Sequence, residues 1–189
     1  MKKITLSFLV LFIAIGLSAQ TKFGIKGGLN FDNMKVKDVQ LKNNNSTGWH
    51  AGVLLNLKLP LGFALQPEVL YSVKSLGWKD FPDSNVKFKY VEVPVNVQWG
   101  IDLILLRPFV MASPYFSYLL SMGDAKNKWD GVKNVDYGLG LGVGVDIWKL
   151  QVTGKYNWGF GKLGNIQKSD WKVNDSTLQG LQLSVGLRF

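Results

Sequence analysis

The 189 residues contain no cysteine and one histidine, His50. The first absence excludes disulfides, thiolate metal sites and cysteine nucleophiles together. The second leaves His50 without a histidine or cysteine companion, so no zinc site, other metal or cofactor is expected. Acidic residues are outnumbered, 13 against 22 lysines and arginines, for a formal charge of +9. The excess is spread along the chain without a dense basic run, which argues against nucleic acid as a partner. Long apolar runs are also missing. Beyond the first twenty residues nothing approaches the roughly 18 apolar residues a membrane-spanning helix needs. Yet 47% of the chain is hydrophobic and 13% aromatic. Those residues must follow another pattern.

The start, "MKKITLSFLVLFIAIGLSAQ", has two lysines, an apolar stretch from Ile4 to Leu17, and small residues at Ser18 and Ala19. That is the order of a secretory signal peptide. It predicts a signal over 1–19, cleavage after Ala19, and one domain over 20–189.

The pattern that follows has period two, the period of a strand. In "YGLGLGVGVDIW" (137–148), Leu139, Leu141, Val143, Val145 and Ile147 share one face, and Gly138, Gly140, Gly142 and Gly144 share the other. A phosphate-binding glycine loop is excluded, because such loops open a helix. Seven more segments alternate in the same way: 22–31, 48–59, 62–74, 90–99, 107–120, 150–160 and 180–189. Phe88 and Tyr90 stand out of phase with the valines of the fourth, which predicts a bulge there. Pro67, Pro94 and Pro114 fall inside three segments and call for a bulge or a local break in the ladder. The fifth, "RPFVMASPYFSYLL", carries aromatics on both faces and leaves its register open.

The gaps between these segments alternate long and short, so long loops leave one end of the sheet and short turns the other. Eight strands of about ten residues arranged in this way predict an antiparallel up-and-down transmembrane β-barrel, with long extracellular loops and short periplasmic turns. Lipid forbids unpaired backbone, so the sheet must close. The apolar stripes would then face outer-membrane lipid, and Trp49, Trp99, Trp158, Tyr71, Phe63 and Phe189 would lie near the stripe ends, at headgroup level. Eight strands leave an interior only wide enough for side chains, and a glycine face would make room for bulky neighbours such as Lys155 or Arg188.

At this point the sequence resembles the small outer-membrane barrels of Bacteroidetes-type bacteria, the PorT-like or "porin family" proteins. The resemblance is carried by "KFGIKGGLNF", "QPEVLYS", "YVEVPVNVQW", "RPFVMASPYFSYLL" and "LQLSVGLRF". Tyr90, Val91, Glu92, Val93 and Pro94 match the family's pattern of tyrosine, apolar residue, Glu, apolar residue, Pro. Ser113 replaces the glycine the family places before Pro114. The resemblance implies the barrel fold, an outer-membrane location, and recognition of the C-terminal strand ending in Phe189 by the barrel-assembly machinery. PorT itself looks like a component tied to protein secretion and gliding, a role that no residue here picks out.

The inward charges form one candidate constellation: Lys26, Lys58, Lys74, Lys155 and Arg188 against Glu68, Glu92, Asp136 and Asp146. Buried charges must be paired or hydrogen-bonded. An ion-pair plug is the expectation, with a path for small ions as the functional alternative. Trp78, Trp129 and Trp171, each beside Lys and Asp in a long loop, form a second set that would suit a glycan or protein partner or an interface belt. His50 faces inward, with Ser46, Ser72 and Glu68 as nearby candidates for a catalytic set. No motif supports catalysis, and the expected protein is not an enzyme: a barrel with a filled lumen and a structural or binding role through its loops. The alternatives are a lipid-modifying enzyme using His50 and a soluble lipocalin-like carrier with its apolar stripes inside.

Overall fold

Period-two alternation puts successive side chains on opposite sides of a strand, so closing the sheet sorts the whole sequence into an inside and an outside. The computed structural model describes residues 20–35, 47–78, 81–121, 135–160, 166–168, 171–173 and 177–189. The expected signal over 1–19 lies outside the described residues, as do Ser46 and Trp129. Strands are β1 (Gln20–Lys35), β2 (Thr47–Lys58), β3 (Phe63–Trp78), β4 (Phe81–Gly100), β5 (Leu106–Ser121), β6 (Val135–Ile147), β7 (Leu150–Gly159), β8 (Ile166–Lys168), β9 (Trp171–Val173) and β10 (Thr177–Arg188). All except β8 and β9 form one closed barrel in the order β1-β10-β7-β6-β5-β4-β3-β2. Every pairing is antiparallel, and β1 closes on β10 from Gly24↔Arg188 to Lys35↔Thr177. The small pair β8–β9 stands apart.

The sorting is the reverse of a water-soluble protein. Phe23, Ile25, Val53, Val69, Val97, Val110, Leu141, Val143, Val152 and Val185 are exposed on the outer face. Glu68, Gln66, Asn96, Gln98, Gln151, Lys155 and Arg188 are buried inside. Apolar out and polar in is the pattern of a barrel that lipid surrounds. It also excludes the lipocalin alternative, which required the stripes inside. The described residues include no helix long and apolar enough to cross a membrane.

The prolines are accommodated by breaks in pairing that leave the register unchanged. β2–β3 pairing stops at Leu54↔Glu68 and resumes at Leu57↔Leu65, around Pro67. β4–β5 pairing stops at Pro94↔Tyr115 and resumes at Val97↔Ala112, around Pro114. A proline has no donor to lose, so a gap of this kind is sufficient.

The expected bulge near Tyr90 has a different form. Pairing shifts between Lys89↔Ser121 and Tyr90↔Leu119, so the extra residue is Leu120, on β5. The pleat of β4 does not slip: Phe88 and Tyr90 stay inside with Glu92. β3 and β4 also run on past the expected ends to Trp78↔Phe81, with a further register shift between Leu76 and Trp78. Pro82, Asp83 and Asn85 fall in the irregular stretch between the paired residues Phe81 and Val86.

The lumen as candidate functional site

Strand β5 resolves itself once β6 is beside it. Its inward row is Arg107, Phe109, Met111, Ser113, Tyr115, Ser117 and Leu119, all buried. Opposite stand Gly144↔Phe109, Gly142↔Met111 and Gly138↔Tyr115. A Cβ on Gly144 would meet the Phe109 ring, one on Gly142 the Met111 methyl, and one on Gly138 the Tyr115 ring. Gly140 faces the Lys155 stem and the Asn157 side-chain oxygen. The glycine face therefore makes room for β5 and for Lys155, as expected of the lysine. Arg188 is the correction: its guanidinium goes to Asp146 instead. Aromatics on both faces of β5 follow from this, since those inside lie over glycine and those outside meet lipid.

The opposite wall is polar, and Glu68 is its hub. Its Oε1 accepts from Lys26 Nζ at 2.8 Å, Gln66 Nε2 at 2.7 Å and Asn96 Nδ2 at 2.7 Å. Gln66 on β3 and Gln151 on β7 exchange reciprocal amide bonds of 2.9 and 3.2 Å. Four places separate β3 from β7 in the barrel order, so this pair crosses the full lumen. Ser113 hydroxyl donates to Asn96 Oδ1 at 2.6 Å and accepts from Lys155 Nζ at 3.3 Å, which ties β7 to the same layer.

Toward the turn end a second cluster forms. Asp146 Oδ2 receives Arg107 at 3.3 Å and Arg188 at 3.1 Å, and Gln151 donates to Oδ1 at 2.9 Å. Arg107 also donates to Gly62 O at 2.8 Å and stands 3.6 Å from Asp102. Lys58 reaches Asp102 at 2.9 Å, in a pair whose side chains are 30% and 57% exposed. So Lys58 joins the network at its mouth, through Asp102 and Arg107, rather than inside. The Lys58 hydrogen bond, and then the charges of Lys58 and Arg107, hold the Asp102 carboxyl below the usual carboxylate range, against the opposing effect of partial burial.

Toward the loop end, Lys74 pairs with Glu92 at 3.9 Å and lies over the Tyr90 ring. Asp136 is buried on β6 and has a partner interaction of its own. His50 is held on both sides. Asn30 Nδ2 donates to Trp49 O at 3.3 Å and to Ser72 Oγ at 2.9 Å, so Asn30 Oδ1 faces the ring. His50 Nδ1 therefore donates to Oδ1 at 2.9 Å, and in the neutral ring Nε2 takes the Ser184 hydroxyl, also at 2.9 Å.

A serine, a histidine and an orienting amide in line is the geometry of a nucleophile relay. All three are buried, and the backbone around them is committed to the barrel ladder. A reacting carbonyl would need a space beside Ser184 and free donors for its oxyanion. Gly28 lies against this set, so that a Cβ there would strike the His50 ring. The two ring nitrogens are taken by Asn30 and Ser184, while Ser72 bonds Asn30 and Glu68 bonds Lys26.

Sequence reasoning missed Arg107 and the neutral amides. Arg107 shares the odd-numbered face of Phe109, but the open register of β5 hid that. Gln66, Gln98, Gln151, Asn30 and Asn96 show the same inward alternation as the charges, which was signal enough. Of the tryptophans, Trp78 ends β3 opposite Phe81 and Trp171 lies in β9 opposite Lys168, so neither stands in an unstructured loop. Among the described residues no cluster of three His, Asp or Glu could hold a metal ion.

Residues 18–165 match the model of the outer membrane protein beta-barrel domain. The chain belongs to that family. Solved structures with the same fold include Neisserial surface protein A, with a TM-score of 0.51 and 12% identity over 88% of this chain and 97% of the other. OprG of Pseudomonas aeruginosa is similar, with a TM-score of 0.52 and 12% identity over 90% and 97%. No curated protein matches the sequence. This outer-membrane barrel is completed by β10, which lies beyond the matched residues and pairs with both β1 and β7.

Proposed function

We propose that this outer-membrane barrel is a sealed scaffold with a structural or binding role, exercised through extracellular loops on the end away from the termini, and not an enzyme. The observation that carries this reading is the Gln66–Gln151 pair across the full lumen, stacked against Glu68 on one side and Asp146 on the other. Side chains so bonded leave no continuous aqueous path in a barrel of this size. PorT-like membership, supported by Tyr90 to Pro94, belongs to the same proposal, as does recognition of Phe189 by the assembly machinery.

Trp78, Trp129 and Trp171 are the side chains we assign to a glycan or protein partner. Planar-bilayer recording of the refolded chain is expected to give no sustained conductance steps, and steady wild-type conductance overturns the sealed scaffold. Trp129→Cys should react with a membrane-impermeant maleimide on intact cells, whereas labelling only after lysis reverses the orientation. The buried Ser184–His50–Asn30 set reads as a clamp. His50→Ala should leave the acylation of outer-leaflet lipid unchanged.

A further inference from the structure

Water-exposed turns normally carry glycine, asparagine, aspartate or serine, most of all where the backbone enters the left-handed region. At the end of the barrel shared with Gln20 and Phe189, the three turns place large apolar residues at their tips, beside an ordinary left-handed Gly62 (80°) in one of them. Their tips are Leu61 in Pro60–Gly62, the run Ile101, Leu103, Ile104 and Leu105, and Trp148 between β6 and β7. Leu61 is 87% exposed, Ile104 101% and Trp148 81%, the extremes among large apolar residues of the described chain. The two non-glycine residues with positive φ among the described residues are Leu61 (62°) and Trp148 (54°). A bulky side chain at such a position is an outlier, and strain of this kind persists where something else is gained.

Part of the polar backbone of these turns, and the Asp102 side chain, is bonded at the base of the turns, below the tips. Asp102 turns to Lys58 and Arg107 at the mouth. Leu59 N donates to Phe63 O, Ile101 N to Pro108 O, Leu103 N to Leu106 O, and Arg188 N to Lys149 O. Backbone satisfied within the turn can enter an apolar phase, as unsatisfied backbone cannot. Lys149 lies with its ammonium 5.2 Å from the Trp148 ring centre, a cation and an indole side by side. That pairing suits the level of anionic lipid headgroups.

The tips are also continuous with the outer belt, since Phe63, Trp99, Leu106, Ile147 and Leu150 adjoin them and are exposed on the same surface. Along β6 the apolar stripe from Tyr137 to Ile147 already rises roughly 25 Å at the usual strand rise and tilt, the height of the apolar band. The tips continue that surface beyond it.

The geometry points to the three turns being submerged in the inner leaflet of the outer membrane, where Leu61, Ile101, Leu103, Ile104, Leu105 and Trp148 form an apolar foot that fixes the depth of the barrel. The occupant of this surface is lipid, and the inference rests on the membrane-scaffold reading above. The cysteine-free sequence allows a direct test. Ile104→Cys, and separately Leu61→Cys, is labelled with an environment-sensitive fluorophore in vesicles of phosphatidylethanolamine and phosphatidylglycerol. Val143→Cys on the belt serves as the reference.

Both turn labels should shift to the blue, be quenched by lipids brominated near the headgroup, and lose iodide quenching several-fold relative to the same label on the unfolded chain. Iodide access at both turn sites with Val143 shielded overturns the foot and leaves the barrel reading intact. Iodide access at Val143 as well overturns both. Shielding that disappears when protein is diluted in lipid assigns the surface to a second copy, and overturns the lipid foot.

Discussion

The two walls of the lumen solve the same packing problem by opposite means. Along β5 and β6, a row of large side chains lies on a row of glycines, and Phe109, Met111 and Tyr115 fill the space by volume. Along β3, β2 and β1, Glu68, Gln66, His50, Asn30 and Lys26 fill it by hydrogen bonds. Volume tolerates small errors gradually, because apolar contacts are individually weak. A polar network fails abruptly, since removing one member leaves a buried group unsatisfied. The two walls should therefore respond very differently to single substitutions.

The largest effect is expected at the polar hub. Glu68→Ala leaves the Lys26 ammonium buried without its carboxylate, a change that costs about 3–5 kcal/mol for a broken buried pair. Urea unfolding of the refolded chain in vesicles measures it, and a loss below 1 kcal/mol, on the order of an exposed pair, would mean the pair is not buried. The glycine wall should give less. Gly144→Val pushes into the Phe109 ring, and overpacking typically costs about 1–3 kcal/mol. Combining it with Phe109→Ala sharpens the comparison: the second change should recover part of the first if volume is the cause, while Glu68→Ala should not be relieved.

The smallest effect lies at the mouth. Asp102 has its carboxyl held below the usual range, chiefly by the Lys58 hydrogen bond. A depressed folded-state pKa gives stability that is present above the unfolded value and lost as pH falls through the folded one. The pair is exposed, so at most about 1 kcal/mol is at stake, reduced further by salt. Asp102→Asn should flatten the acid limb of the stability curve slightly, and an unchanged limb would show that Lys58 contributes nothing there.

Most of the fold was legible because period two is a property of neighbours. Strand number, inward and outward faces, and the packing use of the glycine row all follow from residues two apart. Partners across the barrel were not legible. His50 finds Ser184 at a separation of 134 residues and Gln66 finds Gln151 at 85, and no local pattern encodes either distance. Phe88 and Tyr90 misled in a specific way: apolar residues on an inward row look like a slipped register, when they are lumen filling beside Lys74. Arg107 was hidden because the aromatics of β5 occupy both faces, and only the facing glycines of β6 distinguish them. The extensions of β3 and β4 were hidden by the turn-type residues 82–85, which lie in an irregular stretch between the paired Phe81 and Val86.

The fold is a closed barrel with its apolar face toward lipid. Heat modifiability of the chain, refolded in detergent, tests it most directly. The unheated species should resist SDS and migrate apart from the boiled chain. Glu68→Ala should lower the temperature at which the two merge. A chain that folds and remains soluble without detergent, with no difference between heated and unheated samples, would contradict it.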